Sequence, residues 1–312
     1  MSAPTSPLSN DDRPPSPAAR RAKHLDQQQI LAYLAVAEAG SFSAAARRLH
    51  LTQPALSKRV ALLEDQLGFL LFERLPKRLE LTEAGQALLP AARRLRQALD
   101  DFAELPPKSL VALTGRLSIA LSHYTGLHRL PAALEAFNQA HPGVLLDLRF
   151  VESETALALV LQGEVRLAYG TLGEPDDRLV VDELWQEQLI PMGATRQVTE
   201  EPEAFWRSHP MILPAARTST RQLIDDWLRQ IQLKPAAVIE VNQLDSIALL
   251  VGTGIGWSVL PHSLQNDKIR PIPSLNASPA QRRLGGIRLA NRPLSPAAAA
   301  FIATVVRMNE SG

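Results

Sequence analysis

The side chains best suited to bind another molecule lie between Ser43 and Leu62, in the stretch SAAARRLHLTQPALSKRVAL. Its basic residues, with no Asp or Glu among them, can face the phosphates of a nucleic acid. Gln53 and Ser57 carry hydrogen-bonding groups that can read the edges of base pairs in the major groove. The alternative is an ordinary pair of helices with a solvated basic face. The basic residues are Arg47, Arg48, Lys58 and Arg59.

Two short helices joined by a tight turn are predicted to position these side chains. The first covers about Ser43–Leu49 and is rich in alanine, which lets another helix pack closely on it. Thr52 can cap the second helix, because its hydroxyl can accept from a free backbone N–H group. Pro54 falls in the first turn, where its missing N–H costs nothing. An apolar stripe at helical spacing follows at Leu56, Val60, Leu63 and Leu67.

A further helix is predicted before this pair, and a two-stranded wing after it. The helix covers Leu25–Gly40, has an apolar face and ends at glycine. The segments Phe69–Arg74 and Arg78–Leu81 have the character of two short strands joined by a turn. Basic residues of the wing can contact phosphates or the minor groove. These residues are Arg74, Lys77 and Arg78.

This part of the chain resembles the LysR-type transcriptional regulators. The matching residues occur in order and at the right spacing: Phe42 to Ala46, Leu49, Gln53 to Ser57, Leu63-Glu64, Leu67-Gly68, Leu71 to Arg74 and Leu81 to Gly85. The resemblance implies a winged helix-turn-helix, a linker helix and an effector domain like the periplasmic binding proteins, and it extends more weakly over nearly all the remaining chain. The residues expected to contact DNA are Thr52, Gln53, Pro54, Ser57, Lys58, Arg59, Arg74, Lys77 and Arg78.

Composition limits the class of protein. A length of 312 residues leaves room for a small and a larger domain, and an apolar content of 46% is normal for a globular protein. The net charge of +1 does not by itself indicate a nucleic-acid partner. The absence of cysteine excludes disulfides, thiolate catalysis and Cys-ligated zinc. No apolar run is long enough for a membrane span or a secretory signal, so we expect a cytoplasmic protein without membrane contact.

The segment 1–24 is rich in Pro and Ser and almost free of large apolar side chains. It cannot bury enough surface to offset its conformational entropy, and we expect it to be disordered. Arg20, Arg21 and Lys23 form either a basic arm that reaches DNA or simply a solvated tail. LysR-type regulators usually begin close to Leu25, so the tail departs from the family pattern.

Thr82–Leu105 is predicted to form one long helix, bent at Pro90 and ended by Pro106-Pro107. Its apolar residues recur at alternating steps of four and three, like the seam of a short coiled coil. The helix either packs on its own domain or, because no cover for the seam is evident in the chain, pairs with a second copy. The predicted dimerisation residues are Leu88, Ala92, Leu95, Leu99 and Phe102.

The predicted domains are a winged helix-turn-helix at 25–82, a linker helix at 83–106 and an effector domain at 107–312. From Gly115 onwards strands and helices alternate, which predicts an α/β fold with a mostly parallel sheet and helices on both faces. The resemblance implies two subdomains, with crossings placed near Pro191–Gly193 and near Leu284–Gly286. Subdomain I is then 115–191 and 284–312, and subdomain II is 192–283.

Ligands of open α/β sheets bind beyond the carboxyl ends of strands, often at helix N-termini. Polar residues at such points are therefore predicted to bind an effector, although each Ser, Thr or Asn could equally be a helix cap. His123 either changes its charge near neutral pH or is a simple loop histidine. The predicted effector residues are Ser122, His123, Tyr124, Thr125, Ser153, Ser219, Thr220, Asn242 and Gln243.

One motif departs from the family, and the motifs of enzymes are missing. Arg166 stands in Gly163 to Ala168 where the family usually has Asp, so either a structural hydrogen bond is lost or a different charge pair is built. The sequence has no Walker P-loop, no Gly-x-Ser-x-Gly and no His-Glu-x-x-His, and its histidines show no metal-like spacing. We expect neither an enzyme nor a bound metal or cofactor.

Three functions are compatible with these patterns. The first is a sequence-specific regulator of LysR type, controlled by a small-molecule effector between the subdomains. It would bind dyad-symmetric double-stranded DNA as a homodimer or homotetramer and act together with RNA polymerase. Helix N-termini and hydroxyls favour an anionic effector, while an uncharged or apolar one stays open. The alternatives are a solute-binding or enzymatic α/β protein with a helical appendage, and an architectural DNA binder without a ligand.

Overall fold

The computed structural model describes residues 25–75, 78–103, 113–198, 206, 208–272 and 280–310. The chain forms two compact units, one up to Leu99 and the other from Asp100 onwards. The predicted disordered tail, residues 1–24, lies outside the described residues. The domain and subdomain boundaries given above stay predictions.

Three helices, a wing and a long helix follow one another from Gln27 to Ala103. The three shorter helices each begin at a side chain that accepts from a backbone N–H group, namely Asp26, Ser41 and Thr52. Gly40 and Gly68 end two of them in the left-handed conformation. The elements are α1 Gln27–Ala39, α2 Phe42–Arg48, α3 Gln53–Leu67, β1 Phe72–Leu75, β2 Arg78–Leu81 and α4 Glu83–Ala103.

The first strand of the wing begins later than predicted, at Phe72 instead of Phe69. The Oε1 atom of Glu64 in α3 accepts from the backbone N–H groups of Leu71 at 2.7 Å and of Phe72 at 3.3 Å. The side chain of α3 thereby takes up backbone donors at the start of the wing. Phe69 and Leu70 lie in the exposed turn before it.

The predicted coiled-coil seam of α4 is divided. Leu88 and Ala92 pack into the apolar core of the first unit, beside residues such as Leu34 and Leu56. The expectation that nothing in the chain covers the seam is therefore wrong for these two residues. Phe102, at the other end of the seam, has 78% of its surface exposed.

The second unit alternates strands and helices, as expected. The predicted helix through Leu127 and Phe137 is divided in two, at Arg129 and Leu130. The elements are β3 Gly115–Ser122, α5 His123–His128, α6 Pro131–Ala140, β4 Val144–Val151, α7 Ser153–Leu161, β5 Leu167–Thr171, β6 Leu179–Ala194, β7 Met211–Leu213, α8 Ser219–Gln230, β8 Val238–Glu240, α9 Leu244–Thr253, β9 Ser258–Pro261, β10 Ile269–Pro271, β11 Ala280–Leu289 and α10 Pro296–Glu310.

The main sheet is mixed, which corrects the expectation of a mostly parallel one. Its order is β10-β6-β11-β5-β3-β4, with β9 also paired to β6. The strands β4 and β5 run parallel to β3, but β11 runs antiparallel to both β5 and β6. The two long strands β6 and β11 are absent from the predicted elements. Their antiparallel pairing is what makes the sheet mixed.

These two strands also connect the subdomains. At one end β6 pairs only with β11, and at the other it pairs with β9 and β10. The ladder has an irregularity between Leu284 and Gly285. A Cβ atom on Gly285 would lie 2.1 Å from the carbonyl oxygen of Asp182, so the close approach of the strands requires glycine there.

Apolar clusters lie on both faces of the sheet in each subdomain. Phe137 and Phe301 belong to one face of subdomain I, and Ala156 and Val160 to the other. Arg166, the residue that departs from the family motif, is buried and donates from Nη1 to the carbonyl oxygen of Pro293 at 3.1 Å. Its side chain thus binds the backbone just before α10. Among the described helices none combines the length and the apolar character needed to cross a bilayer.

Replacing Glu64 with Ala should destabilise the first unit. The backbone donors of Leu71 and Phe72 would be left without their acceptor, which costs about 1–3 kcal/mol for a part-buried group. Glu64→Gln keeps a carbonyl oxygen and should be destabilised less. The exposed neighbour supplies the control, Asp65→Ala, with an effect within about 0.5 kcal/mol. Calorimetric unfolding of the full chain measures this, and equal effects of Glu64→Ala and Asp65→Ala would contradict it.

Candidate functional site

The amino-terminal end of α3 presents the residues predicted to contact DNA. Its apolar residues Leu56, Val60 and Leu63 are buried in the core, so the opposite side of the helix faces outwards. Thr52 caps the helix as predicted, accepting from the N–H group of Ala55 at 3.3 Å. Of the other predicted residues Gln53, Pro54 and Lys58 are exposed, while Ser57 and Arg59 are half-buried.

The start of α3 has a hydrogen bond to α2, and Gln53 and Pro54 stay exposed to solvent. The Ser43 hydroxyl donates to Oε1 of Gln53 at 3.2 Å, which joins α2 to the first turn of α3. In the wing Arg78 is exposed, and its Nε lies 3.0 Å from Oε1 of Glu80. Lys77 and the side chain of Arg74 lie outside the part of the chain that the structure describes.

A second candidate site is the cleft between the two subdomains of the effector unit. Its cavity volume is about 60 Å³, and it is open to solvent. Seven of the nine predicted effector residues line it, at the carboxyl ends of β3, β4 and β8 and at the start of α8. These seven are Ser122, His123, Tyr124, Ser153, Thr220, Asn242 and Gln243.

Thr125 and Ser219 do not line the cleft. Thr125 is fully buried, and its backbone N–H donates to the Ser122 hydroxyl, which caps α5. The backbone N–H and the hydroxyl of Ser219 both donate to Oε1 of Glu154, at 2.7 and 2.8 Å. The anion position at the start of α8 is therefore already taken by a carboxylate of the protein itself.

Three further contacts join the subdomains across the cleft. Glu152 and Arg217 form an ion pair at 2.7 Å, and Nε2 of His128 lies 2.7 Å from Oδ1 of Asp245. His123 Nε2 lies 3.5 Å from Nε2 of Gln243, so two predicted residues meet from opposite sides. The cleft walls thus hold each other through polar contacts.

Residues that the sequence analysis missed also line the cleft. The acids Glu152 and Glu154 come from α7 and the turn before it, Thr171 ends β5, and Arg282 comes from β11. Arg282 could not be placed because β11 was not predicted. The signal lay in alternation along this strand, where Arg282 and Leu284 are buried and Arg283 is exposed.

A buried charge cluster lies behind this wall, centred on Glu187 of β6. Oε2 of Glu187 accepts from Nη2 of Arg282 at 2.5 Å. Its Oε1 accepts from the Tyr124 hydroxyl at 2.6 Å and from Nε of Arg129 at 3.0 Å. Burial alone would raise the pKa of Glu187, but Arg282, Tyr124 and Arg129 outweigh burial and hold this pKa below its usual range. Glu187 is therefore ionised at neutral pH.

Two family models match the chain. The LysR substrate binding domain covers residues 112–309, and the bacterial regulatory helix-turn-helix of the lysR family covers residues 27–86. The chain belongs to the LysR family of transcriptional regulators. It is a DNA-binding regulator with an effector-binding domain, and not an enzyme.

Relatives of similar length support this assignment. The regulator TfdS of Cupriavidus pinatubonensis is 29% identical over 246 residues, which are 77% of this chain and 83% of TfdS. A protein of Synechococcus elongatus named a probable nitrogen assimilation transcriptional activator is 32% identical over 251 residues, 76% of this chain and 78% of its own.

Solved structures share the fold. A full-length variant of OxyR from Pseudomonas aeruginosa has a TM-score of 0.70 at 20% identity, covering 90% of this chain and 95% of OxyR. CbnR in complex with its target DNA has a TM-score of 0.61 at 23% identity, with coverages of 91% and 99%. LysG from Corynebacterium glutamicum, with arginine bound as effector, has a TM-score of 0.62 at 21% identity, with coverages of 92% and 99%.

Alkaline titration should detect the buried tyrosines. Burial raises the pKa of Tyr33 to about 12, and burial with the hydrogen bond to Glu187 raises the pKa of Tyr124 to about 12. Burial also raises the pKa of Tyr169, the third tyrosine of the chain. These folded values lie above the unfolded value of about 10, so their contribution to stability is complete below pH 10 and is lost as the pH rises towards 12.

Ultraviolet absorbance of tyrosinate measures this ionisation. The native protein should show no tyrosine titrating with a midpoint near 10, whereas the denatured chain should show all three there. Tyr124→Phe should leave two tyrosines to ionise on unfolding. A native midpoint near 10 for one tyrosine that disappears in Tyr124→Phe would contradict the contact between Tyr124 and Glu187.

Proposed function

We propose that the exposed end of α3 reads DNA and that a small molecule in the cleft between the effector subdomains changes this binding. The observation that carries the proposal is the convergence of seven predicted effector residues on one cleft. A ligand there touches both subdomains, so its contacts differ between open and closed arrangements. A difference of this kind is what a ligand needs to shift the equilibrium.

On DNA, the short polar side chains of α3 contact base edges and the basic ones hold phosphates. Gln53, Pro54 and Ser57 are given the first role, because they share the outward side of the helix end. The solved complex of CbnR with its target DNA supports a DNA-binding role for this fold. The phosphate contacts are assigned to Lys58, Arg59, Arg74, Lys77 and Arg78.

The protein acts as a homodimer through α4, and two dimers form a tetramer through their effector domains. The exposure of Phe102 supports pairing at the far end of the seam, because 78% of its surface is open to solvent. Two copies related by a dyad present two α3 helices to facing half-sites. Acting on DNA places the protein in the cytoplasm, where RNA polymerase is its further partner.

Selection of binding sites tests the proposal. The full-length protein is incubated with a random library of DNA duplexes, and bound sequences are recovered over several rounds. We expect two inverted half-sites to be enriched, and we expect cleft ligands found by thermal shift to change the affinity for that selected duplex. Failure to enrich any sequence would contradict specific DNA binding, and unchanged affinity with every cleft ligand would contradict control by an effector.

Substitutions in α3 should separate base reading from phosphate binding. On the selected duplex Gln53→Ala should cost about 1–3 kcal/mol and relax the preference at one position of each half-site. Lys58→Ala should weaken binding to all sequences and reduce the salt slope by about 0.9 for each phosphate that is no longer neutralised. The control is Lys234→Ala, an exposed lysine of the effector unit. Fluorescence anisotropy at several salt concentrations measures both, and unchanged base preference in Gln53→Ala would refute this placement of α3.

A charge in the seam should break the dimer. Leu95 is half-buried and lies outside the core cluster that includes Leu88 and Ala92. Leu95→Asp would bury a charge between two paired helices, which is strongly unfavourable. Arg94→Asp places the same side chain at an exposed position off the seam and serves as the control. Sedimentation at micromolar concentration should show smaller particles for Leu95→Asp alone, and a monomeric wild type would refute the assembly.

A further inference from the structure

Arg282 is the most deeply buried charged side chain that contributes to the wall of the cleft. Only 2% of its surface is exposed. It lies directly opposite Glu187 in the pairing of β11 with β6, and its Cζ lies 4.4 Å from the centre of the Tyr124 ring. Tyr124 lines the same cleft. The guanidinium is thus held in place from two sides.

The hydrogen-bonding capacity of this guanidinium is only partly used. A guanidinium has five N–H donors. Nη2 donates to Glu187 at 2.5 Å, and Nη1 lies at the long distance of 3.5 Å from the Thr220 hydroxyl. Nε is buried and has no hydrogen-bond partner among the described residues. Nε is closed to solvent, so the donor that a ligand in the cleft can engage is Nη1, whose contact with Thr220 of the cleft wall is long.

The charges of the cluster also favour an anion. Glu187 supplies one negative charge, while Arg282 and Arg129 supply two positive charges. The Tyr124 phenol is neutral, because burial and its hydrogen bond to Glu187 raise its pKa to about 12. A single negative charge on a ligand would therefore balance the cluster. A planar carboxylate matches the donor geometry of a guanidinium.

The opposite part of the cleft limits the ligand to one negative charge. Glu152 and Glu154 bring two negative charges to this part, and the ion pair with Arg217 offsets one of them, so a second anionic group would still meet a net negative charge. Their oxygens can instead accept from a hydroxyl or an ammonium group. The cavity volume of about 60 Å³, room for a few waters, suits a molecule of few heavy atoms.

We propose that the effector is a small monocarboxylic acid bearing a hydroxyl or amino group, with its carboxylate bound by Arg282. This rests on the proposed function, in which the effector occupies the cleft. Arg282 selects for the carboxylate, and the two rim glutamates select against a second one. Because Arg282 is bonded to Glu187 on the other crossing strand, ligand binding reaches both strands that connect the subdomains.

The wild-type protein gives the first test. Full-length protein is titrated calorimetrically with 2-hydroxy and 2-amino monocarboxylic acids of up to six carbons, each compared with its primary amide and with the corresponding dicarboxylic acid. We expect at least one monocarboxylate to bind, and its amide and diacid to bind at least tenfold more weakly. The hydroxy and amino series distinguish the two sources of this chemistry. Binding of no monocarboxylate, or equal binding of an acid and its amide, would overturn the proposal.

A variant gives the second test. Arg282→Gln should weaken binding of the same acid by about 30-fold or more, as expected when one partner of a buried charged pair is removed. Glu187 keeps Arg129 and Tyr124 in this variant, which favours folding. Arg283→Gln is the matched control, since Arg283 is the exposed neighbour on the same strand, and its Kd should change less than twofold. Wild-type affinity in Arg282→Gln would overturn the proposal, and if that variant does not fold, the comparison of acid and amide decides alone.

The outcomes separate this inference from the proposed function. An uncharged or doubly negative compound that binds the cleft and changes affinity for the selected duplex would leave the regulator intact and overturn the monocarboxylate. A monocarboxylate that binds through Arg282 without changing DNA affinity would support the ligand class and contradict control of DNA binding.

Discussion

The effector unit depends on the buried ion pair between Glu187 and Arg282. Glu187 lies on β6 and Arg282 on β11, the two strands that connect the subdomains, and the two residues are direct partners in the pairing of these strands. A carboxylate left alone at this depth would be strongly destabilising, so Glu187 needs its guanidinium partners. Through Tyr124 and Arg129 the same carboxylate also holds α5, which forms part of the cleft wall. The connection between the subdomains and the wall of the cleft therefore share one set of contacts.

The contacts across the mouth of the cleft are of a different strength. Arg217 of the pair with Glu152 is 70% exposed, and ion pairs of this kind contribute only about 0–1 kcal/mol each. The coupling between an effector and a distant site is typically about 1–3 kcal/mol, which is comparable with the sum of a few such contacts. Under the proposed function, a ligand that spans the cleft needs only to outweigh these weak contacts to change the balance between open and closed arrangements, while Glu187 and Arg282 keep the connecting strands paired. The strands that connect the subdomains are held by a buried ion pair, whereas the two sides of the cleft are held together by weak, exposed contacts.

Most of the DNA-binding unit is specified by residues close together in sequence. Thr52 caps α3, Gly40 ends α1, and the stripe from Leu56 to Leu63 faces the core, all as predicted. Two features of this unit depend on remote contacts. Glu64 accepts from the backbone N–H groups of Leu71 and Phe72, and the first strand of the wing starts only at Phe72. The first half of α4 packs into the apolar core of this unit, which buries Ala92 and partly buries Leu88.

The sequence by itself determined the winged helix-turn-helix and the strand ends that carry most of the cleft residues, because periodicity, caps and turn residues act locally, and its ordered motifs carried the resemblance to the LysR family. Only the tertiary structure decided the mixed sheet, the exclusion of Thr125 and Ser219 from the cleft, and the entry of Arg282. The strands β6 and β11 stabilise each other by pairing between residues about a hundred positions apart, as Glu187 and Arg282 are. Likewise Ser219 is occupied by Glu154, which lies 65 residues earlier. Partners that meet only after folding leave no local pattern in the sequence, so the residues they position can be found only from the fold.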